Sequence, residues 1–481
     1  MRTQSVGIIG LAALLLGGCM VGPDYTKPSA PVTPAYKEAD GWKIAEPSDH
    51  LPRGQWWAVF GDPELGQLEE QVATANQNLK IAEARLREAR ALVRFNRAAL
   101  FPTISTSVGG ASVRDSANRP FLSPNASTGS SGDLLLSLDM SYEIDLWGRV
   151  RRTVAAARIE AQATAADLET AQLSLQAELA MDYFELRAAD AQQQLLDETV
   201  KAFEAALQLT TNRFQGGAAP KSDVAQAQTQ LDTTKAQATD VTVQRAQLEH
   251  AIATLIGKPP AAFSLPPRPL ATLPPDIPVG MPSQLLERRP DIAAAERRVA
   301  EANAEIGVTK AAFYPSLTLG GTAGLESTSI ASWFTWPARF FSLGPTLTQT
   351  LFDKGRRRAA TDVAFAQYDA TVAGYRQTVL TSFQEVEDNL AALRILSREL
   401  DEQDAAVSAA QRALSLSNDR YKAGIDSYLN VITAQATLLN NQRTAVNLEM
   451  QQMTASVELI KALGGGWNES ELPSPKQLEK K

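Results

Sequence analysis

With 481 residues, 44% of them hydrophobic and 21% charged, the chain has the composition of a globular protein, not of a disordered one. Its formal net charge of -8 gives no reason to expect nucleic acid as a partner. A single cysteine, Cys19, excludes an intrachain disulfide framework, and two distant histidines, His50 and His250, offer a poor zinc set.

The amino terminus reads as an address. Arg2 precedes an apolar run from Val6 to Leu16, too short to persist as a spanning helix, and Leu16-Gly17-Gly18-Cys19 follows. This is either an ordinary secretory signal with an incidental cysteine or a bacterial lipoprotein signal, because Leu-Gly-Gly-Cys resembles the lipobox. On the second, favoured reading residues 1–18 are removed and Cys19 carries a covalent lipid, whose acyl chains anchor with roughly 0.8 kcal/mol per buried methylene. Met20 follows, not the aspartate that holds many such lipoproteins at the inner membrane, so the outer membrane is expected. Residues 19–62 then form the anchor and an extended N-terminal tether, punctuated by Pro23, Pro28, Pro31 and Pro34.

From there the chain is written twice. Gly148-Arg149 recurs as Gly355-Arg356, and Arg213-Phe214-Gln215-Gly216-Gly217 as Arg420-Tyr421-Lys422-Ala423-Gly424, both 207 residues on. Upstream, Leu100-Phe101-Pro102 recurs as Phe313-Tyr314-Pro315 at an offset of 213, so six residues are lost between these landmarks. The expected units are a first repeat at 63–270, a second at 271–464 and a tail at 465–481, with membrane hairpins at about 102–147 and 315–352.

Within each repeat the hydrophobic period changes from two to that of a helix. Leu134, Leu136, Leu138, Met140, Tyr142 and Ile144 alternate with Leu135, Ser137, Asp139, Ser141, Glu143 and Asp145, the pattern of a strand between lipid and water. Leu317, Leu319, Ala323 and Leu325 oppose Ser316, Thr318 and Thr322, while Phe341, Leu343 and Leu347 oppose Ser342, Thr346 and Thr348. The strand from Ile104 to Val113 alternates weakly and is accepted on its repeat partner; an exposed soluble hairpin is the alternative. Polar stretches at Asp115 to Gly132 and Ser327 to Ser332 read as external loops, and Trp333, Phe334, Trp336, Phe340 and Phe341 as either an interfacial belt or ordinary packing.

After each hairpin an uninterrupted helix is predicted, Arg149 to Phe214 and Arg356 to Lys422, each roughly 100 Å long. Each turns at Gly217 or Gly424 and returns to Ile256 or Leu463, the second return carrying a seam of Ile432, Leu439, Val446, Met450, Met453, Val457 and Ile460. Four strands cannot close a barrel in lipid, and open edges are forbidden there. The chain must therefore oligomerise, as two copies with eight strands or three with about twelve. No GxSxG, HExxH, P-loop or strand-to-helix GxGxxG motif is present, so nothing signals an enzyme.

At this point Cys19-Met20-Val21-Gly22-Pro23-Asp24-Tyr25, Trp56-Trp57-Ala58-Val59-Phe60-Gly61-Asp62-Pro63 and Asp145-Leu146-Trp147-Gly148-Arg149 resemble the TolC-like outer-membrane factor family, lipoprotein efflux type. The most specific match is Met281-Pro282-Ser283-Gln284-Leu285-Leu286-Glu287-Arg288-Arg289-Pro290-Asp291-Ile292. The resemblance implies an α+β membrane protein: a homotrimeric, twelve-stranded outer-membrane β-barrel continued by a long periplasmic α-helical barrel. It also implies a passive duct for drugs or other toxic small molecules, meeting a periplasmic adaptor protein and an inner-membrane resistance-nodulation-division transporter. A peptide or protein secretion duct, or a non-porous periplasmic coiled-coil scaffold, are the alternatives.

In the family the gate lies at the periplasmic helix turns. Asp223 and Asp426 are the candidate acids there, with Asn430 and Thr433 nearby and Gly217 and Gly424 as the adaptor-contact turns. The family often carries an acid where Thr433 stands, which departs from the usual inner carboxylate ring. Asp223 serves equally as the N-cap of the returning helix. Arg288 and Arg289 are expected to pair structurally, and Asp291 to cap the next helix. The basic runs Arg149, Arg151, Arg152 and Arg356, Arg357, Arg358 oppose the helix dipole, so they face either lipid phosphates or solvent.

Overall fold

The computed structural model describes residues 20–38, 55–114, 116, 118, 129–270, 274–275, 277 and 284–479. Cys19, most of the first external loop and Met281 to Ser283 lie outside the described residues. Asp62 starts the first helix, α1 (Pro63–Ala75), by accepting from the Glu64 and Leu65 amides at 2.9 and 3.3 Å, with Pro63 in the first turn. Asn76 then starts α2 (Gln77–Ala98), its Oδ1 accepting the Leu79 amide at 3.0 Å. A hairpin of β1 (Thr103–Val113) and β2 (Ser131–Ile144) leads into α3 (Arg149–Gln215), which returns as α4 (Lys221–Leu255). The second half repeats the order: α5 (Pro290–Ala311), β3 (Ser316–Ser327), β4 (Arg339–Thr348), α6 (Arg356–Lys422) and α7 (Tyr428–Ala462).

The duplication holds element by element. Helices α2 and α5 each have 22 residues, α3 and α6 each 67, and α4 and α7 each 35. The six-residue difference lies at the hairpin tips, where seventeen residues separate Val113 from Ser131 but eleven separate Ser327 from Arg339. Even the helix stops are copied. Left-handed Gly217 and Gly424 let the Ala218 and Ile425 amides bond back to the Arg213 and Arg420 carbonyls at 2.8 and 3.0 Å. Gly257 and Gly464 end α4 and α7 in the same way.

Where α4 and α7 stop, the residue ahead of each short upper helix takes over their last carbonyls. Asn76 Nδ2 donates to Leu255 O at 2.7 Å, and its repeat equivalent Arg289 donates to Ala462 O at 3.0 Å. Arg289 also donates to Asp291 at 2.7 Å and to Glu385 at 2.6 Å, so its expected structural pairing is real. Asp291 is not the N-cap: Arg289 holds that position, Pro290 is the first helical residue, and Asp291 in the first turn braces Arg289. Proline has no amide to cap and suits the first helical position, so the helix starts two residues earlier than an Asp291 cap would place it.

The strands form one antiparallel sheet in the order β1-β2-β3-β4, leaving β1 and β4 as edges. Register places Ser105, Asp139, Thr322 and Ser342 in one row, and Asp139 accepts hydroxyl bonds from Thr322 at 2.7 Å and Ser137 at 2.8 Å. The opposite face carries Ile104, Val108, Leu138, Phe341, Leu343 and Leu347, all exposed. Phe340 pairs with Gly324 on the polar face, so it stands apart from the outward aromatics Phe334, Trp336 and Phe341. Below the sheet the helices lie side by side, α2-α3-α5-α6 in the upper half and α4-α3-α7-α6 in the lower. The principal core forms the belt between the halves, around Trp56, Leu65, Tyr183, Phe184, Tyr375 and Met453. Among the described residues, no helix is long and apolar enough to cross a membrane.

Candidate functional site

The α3–α4 and α6–α7 turns come together at the far end of the helices, and there the two repeats stop being equivalent. Phe214 is 42% exposed, but its counterpart Tyr421 is 4% exposed; Asp223 is buried, but its counterpart Asn430 is exposed. The two buried members meet: Tyr421 Oη donates to Asp223 Oδ2 at 3.4 Å, joining the second repeat to the first. Arg213 stacks its guanidinium 4.8 Å from the Tyr421 ring and donates to Lys422 O at 3.0 Å, while Tyr428 packs 5.1 Å from Tyr421. Burial raises the Tyr421 and Tyr428 hydroxyl pKa values, with Asp223 adding to the first and Tyr421 and then Asp223 to the second, so both phenols stay protonated.

Asp223 is the third residue of α4, whose N-cap is Pro220, so a capping role does not explain it. Asp426 has a partner within its own turn, accepting from Arg420 Nε at 2.5 Å and Nη2 at 3.3 Å. That bond holds the Asp426 carboxyl below its ordinary pKa. Asn430 and Thr433 are exposed, and Thr433 donates only to Leu429 O of its own helix at 2.9 Å. Gly217 and Gly424 stand free at the turn, with nothing near their missing Cβ positions. Arg213, Arg420, Tyr421 and Tyr428 thus complete a clasp that the acids alone do not reveal. The signal for it is the Phe214-to-Tyr421 difference between repeats, since a buried phenol needs a hydrogen-bond partner.

At the other end, residues 20–38 run down from the junction of sheet and helices. The Val21 amide donates to Trp147 O at 3.0 Å, and Met20 lies against Gly148 at the start of α3. Gly22, at φ +117°, passes so close to α5 that a Cβ would sit 2.5 Å from Gly307 Cα. Asn303 then donates to Pro23 O at 3.2 Å, and Tyr25 donates to the buried Glu296, which also accepts from Arg297 at 2.5 Å. Cys19 lies outside the described residues, but its successor is thereby placed beside the strand ends.

The basic runs at the same junction find acids from the strand ends. Arg149 donates to Glu143 at 2.5 Å, Arg151 to Asp145 at 3.2 Å and Arg357 to Asp353 at 2.6 Å. Asp145 and Asp353 also accept helix-start amides, so the acids offset the dipole mismatch, while Arg356 and Arg358 are exposed at the same level. Arg152 is buried and faces Asp24 of the tether at 3.9 Å.

A family model described as outer membrane efflux protein matches residues 68–258 and 281–465, one stretch in each repeat. The probable efflux pump outer membrane protein TtgC of Pseudomonas putida is 34% identical over 470 residues, 97% of this chain and 96% of its own. Outer membrane protein OprJ of Pseudomonas aeruginosa is 34% identical over 98% of each chain. The solved outer-membrane channel OprN superposes with a TM-score of 0.86 at 30% identity, covering 93% of this chain and 100% of that one. The open-state Neisseria gonorrhoeae MtrE outer membrane channel gives 0.81 at 28%, covering 94% and 99%. The doubled architecture, the two-faced sheet and these matches agree: the chain belongs to the outer membrane efflux protein family.

Proposed function

We infer that this protein is the outer-membrane channel component of a tripartite efflux pump, a passive duct that exports drugs or other toxic small molecules. The observation that carries it is that every layer of the protomer ends in two unmatched edges in the same order. β1 and β4 are free in the sheet, α2 and α6 in the upper helical layer, and α4 and α6 in the lower. Such head-to-tail edges close only as a ring, which buries the strand edges and leaves the Ser107, Ser137, Asp139 and Thr322 face toward the bore.

Three subunits suit the chemistry better than two. Eight strands leave an interior filled by side chains, whereas twelve leave a bore. The homotrimer would use its tip turns, with exposed Phe214, Ile425 and Leu429 beside Gly217 and Gly424, to meet a periplasmic adaptor protein. A resistance-nodulation-division transporter in the inner membrane would supply the energy. Relatives named as antibiotic and toluene efflux pump components support the substrate class. The tip clasp of Tyr421 with Asp223 and of Arg213 with Lys422, steadied by the Arg420–Asp426 pair within the α6–α7 turn, would hold the duct shut until docking pulls α6 and α7 away from α3 and α4.

Two measurements test this reading. Deleting the gene should lower the tolerated dose of several unrelated compounds, and the purified protein should conduct ions across a planar bilayer; a silent bilayer with unchanged susceptibility overturns it. Lipid on Cys19 is tested separately, and the placement of Met20 at the strand ends supports it. Cys19→Ser should remove the acyl mass from the mature protein while barrel insertion persists, because four strands per subunit, not the lipid, build the barrel. Loss of all membrane insertion in that variant contradicts the division of labour.

A further inference from the structure

The tether does more than reach from the rim to the belt. After following α5 past Gly307, Asn303 and Glu296 it crosses to α6, where Arg376 donates to Ser29 O at 3.2 Å. Residues 37 and 38, where its first described stretch ends, are held by three hydrogen bonds. The Lys37 and Glu38 amides donate to the two oxygens of Glu387 at 2.7 and 2.9 Å, and Arg394 donates to the Glu38 carboxylate. Tyr36, just before them, is buried in the belt core.

Just below this level α6 leaves the belt core, whose lowest α6 residues are Leu393 and the half-buried Leu396, and Arg289 joins Glu385 to the end of α7 close above. Below that, its buried residues are Ala410 and Tyr421. Farther down, the hydrogen bonds of α6 to other elements are those of Gln403 with Asn441 of α7 and of the tip clasp. From Arg394 to Lys422 the helix runs 28 residues, about 42 Å.

We propose that residues 37–38 of the tether are the hinge pin of the gate: Glu387 and Arg394, gripping them, set the level below which α6 swings. The proposal rests on the reading that the duct opens by movement of α6 and α7. An arm of about 42 Å turns a tilt of about 10° into about 7 Å at the tip, so the height of the pivot sets how far the gate opens. Glu387 suits a clamp because a carboxylate is acceptor-only and can serve two amides at once. With that grip lost, the next hydrogen bond between the tether and α6 is that of Arg376, nearer the membrane, and bending starts higher on a longer arm.

Glu387→Gln tests this with minimal change of shape, since an amide turns its NH2 toward one of the two donors. The full-length variant and Arg394→Ala should each show a resting bilayer conductance several-fold above wild type, with trimer yield and thermal midpoint little changed. Hydrogen exchange of α6 between Arg376 and Arg394 should rise in both, whereas Asp426→Ala should raise conductance without that rise. A wild-type pore together with wild-type resting conductance in both clamp variants overturns the hinge and leaves the channel intact. A wild-type protein that forms no pore overturns the channel reading, and the hinge with it.

Discussion

Asp426 and Asp223 look alike in sequence, each an acid beside a helix turn, yet their surroundings give them different work. Asp223 is enclosed with Tyr421, while Asp426 is matched to Arg420 at the surface. Because Arg420 lowers the Asp426 pKa, the pair is complete above the ordinary aspartate range and lost only as pH falls through the lowered value. The Arg420–Asp426 pair is therefore charged at neutral pH and is not a switch near pH 7. Asp426→Ala should raise resting leak several-fold at neutral pH, and Arg420→Ala should match it; the check is bilayer current with no adaptor present. Unchanged currents in both would remove the pair from the gate. Cap assignments were the poorest guide among individual residues. Pro290 displaced Asp291, and Pro220 displaced Asp223, because a proline at the helix start decides the geometry before any carboxylate can.

Among elements, helix lengths were the most legible feature. Long α3 and α6 are bounded by glycines whose left-handed conformation ends a helix wherever the rest of the fold lies, and both expected ends agree with the structure within a residue. Which face of α3 meets the belt was not legible, since Ala and Gln occur all round it. One consequence is a carboxyl row at Glu178, Asp182 and Glu185. Burial, and then the two neighbouring glutamates, raise the Asp182 pKa to about 7. A carboxyl whose folded pKa is raised binds its proton more tightly in the folded state, so stability falls as pH climbs from about 4 to about 7 and then levels. Asp182→Asn removes this slope. The variant should melt several degrees above wild type at pH 8 and converge with it below pH 4, as followed by circular dichroism in detergent. An equal offset at both pH values would assign the effect to packing instead of titration.

At the level of the molecule, the two-sided protomer makes assembly the central event. Phe95 on α2 is 74% exposed, and Leu380 on α6, the opposite edge of the upper layer, is 47% exposed. Under the proposed ring closure these edges meet, so Phe95→Asp should shift purified protein from its assembled state to monomer. Light scattering in detergent reads this, and a variant assembled as fully as wild type would place Phe95 outside the interface. The doubling of the chain, the two faces of each strand and the reach of the long helices were readable from residue order alone. They depend on spacings of two to seven residues and on glycine stops, which act locally. Folding in three dimensions was needed to show which of two equivalent residues turns inward at the tip, and where the tether crosses from α5 to α6. Those outcomes join groups 198 and 350 positions apart, as in Tyr421 with Asp223 and Lys37 with Glu387, and no local periodicity carries that pairing.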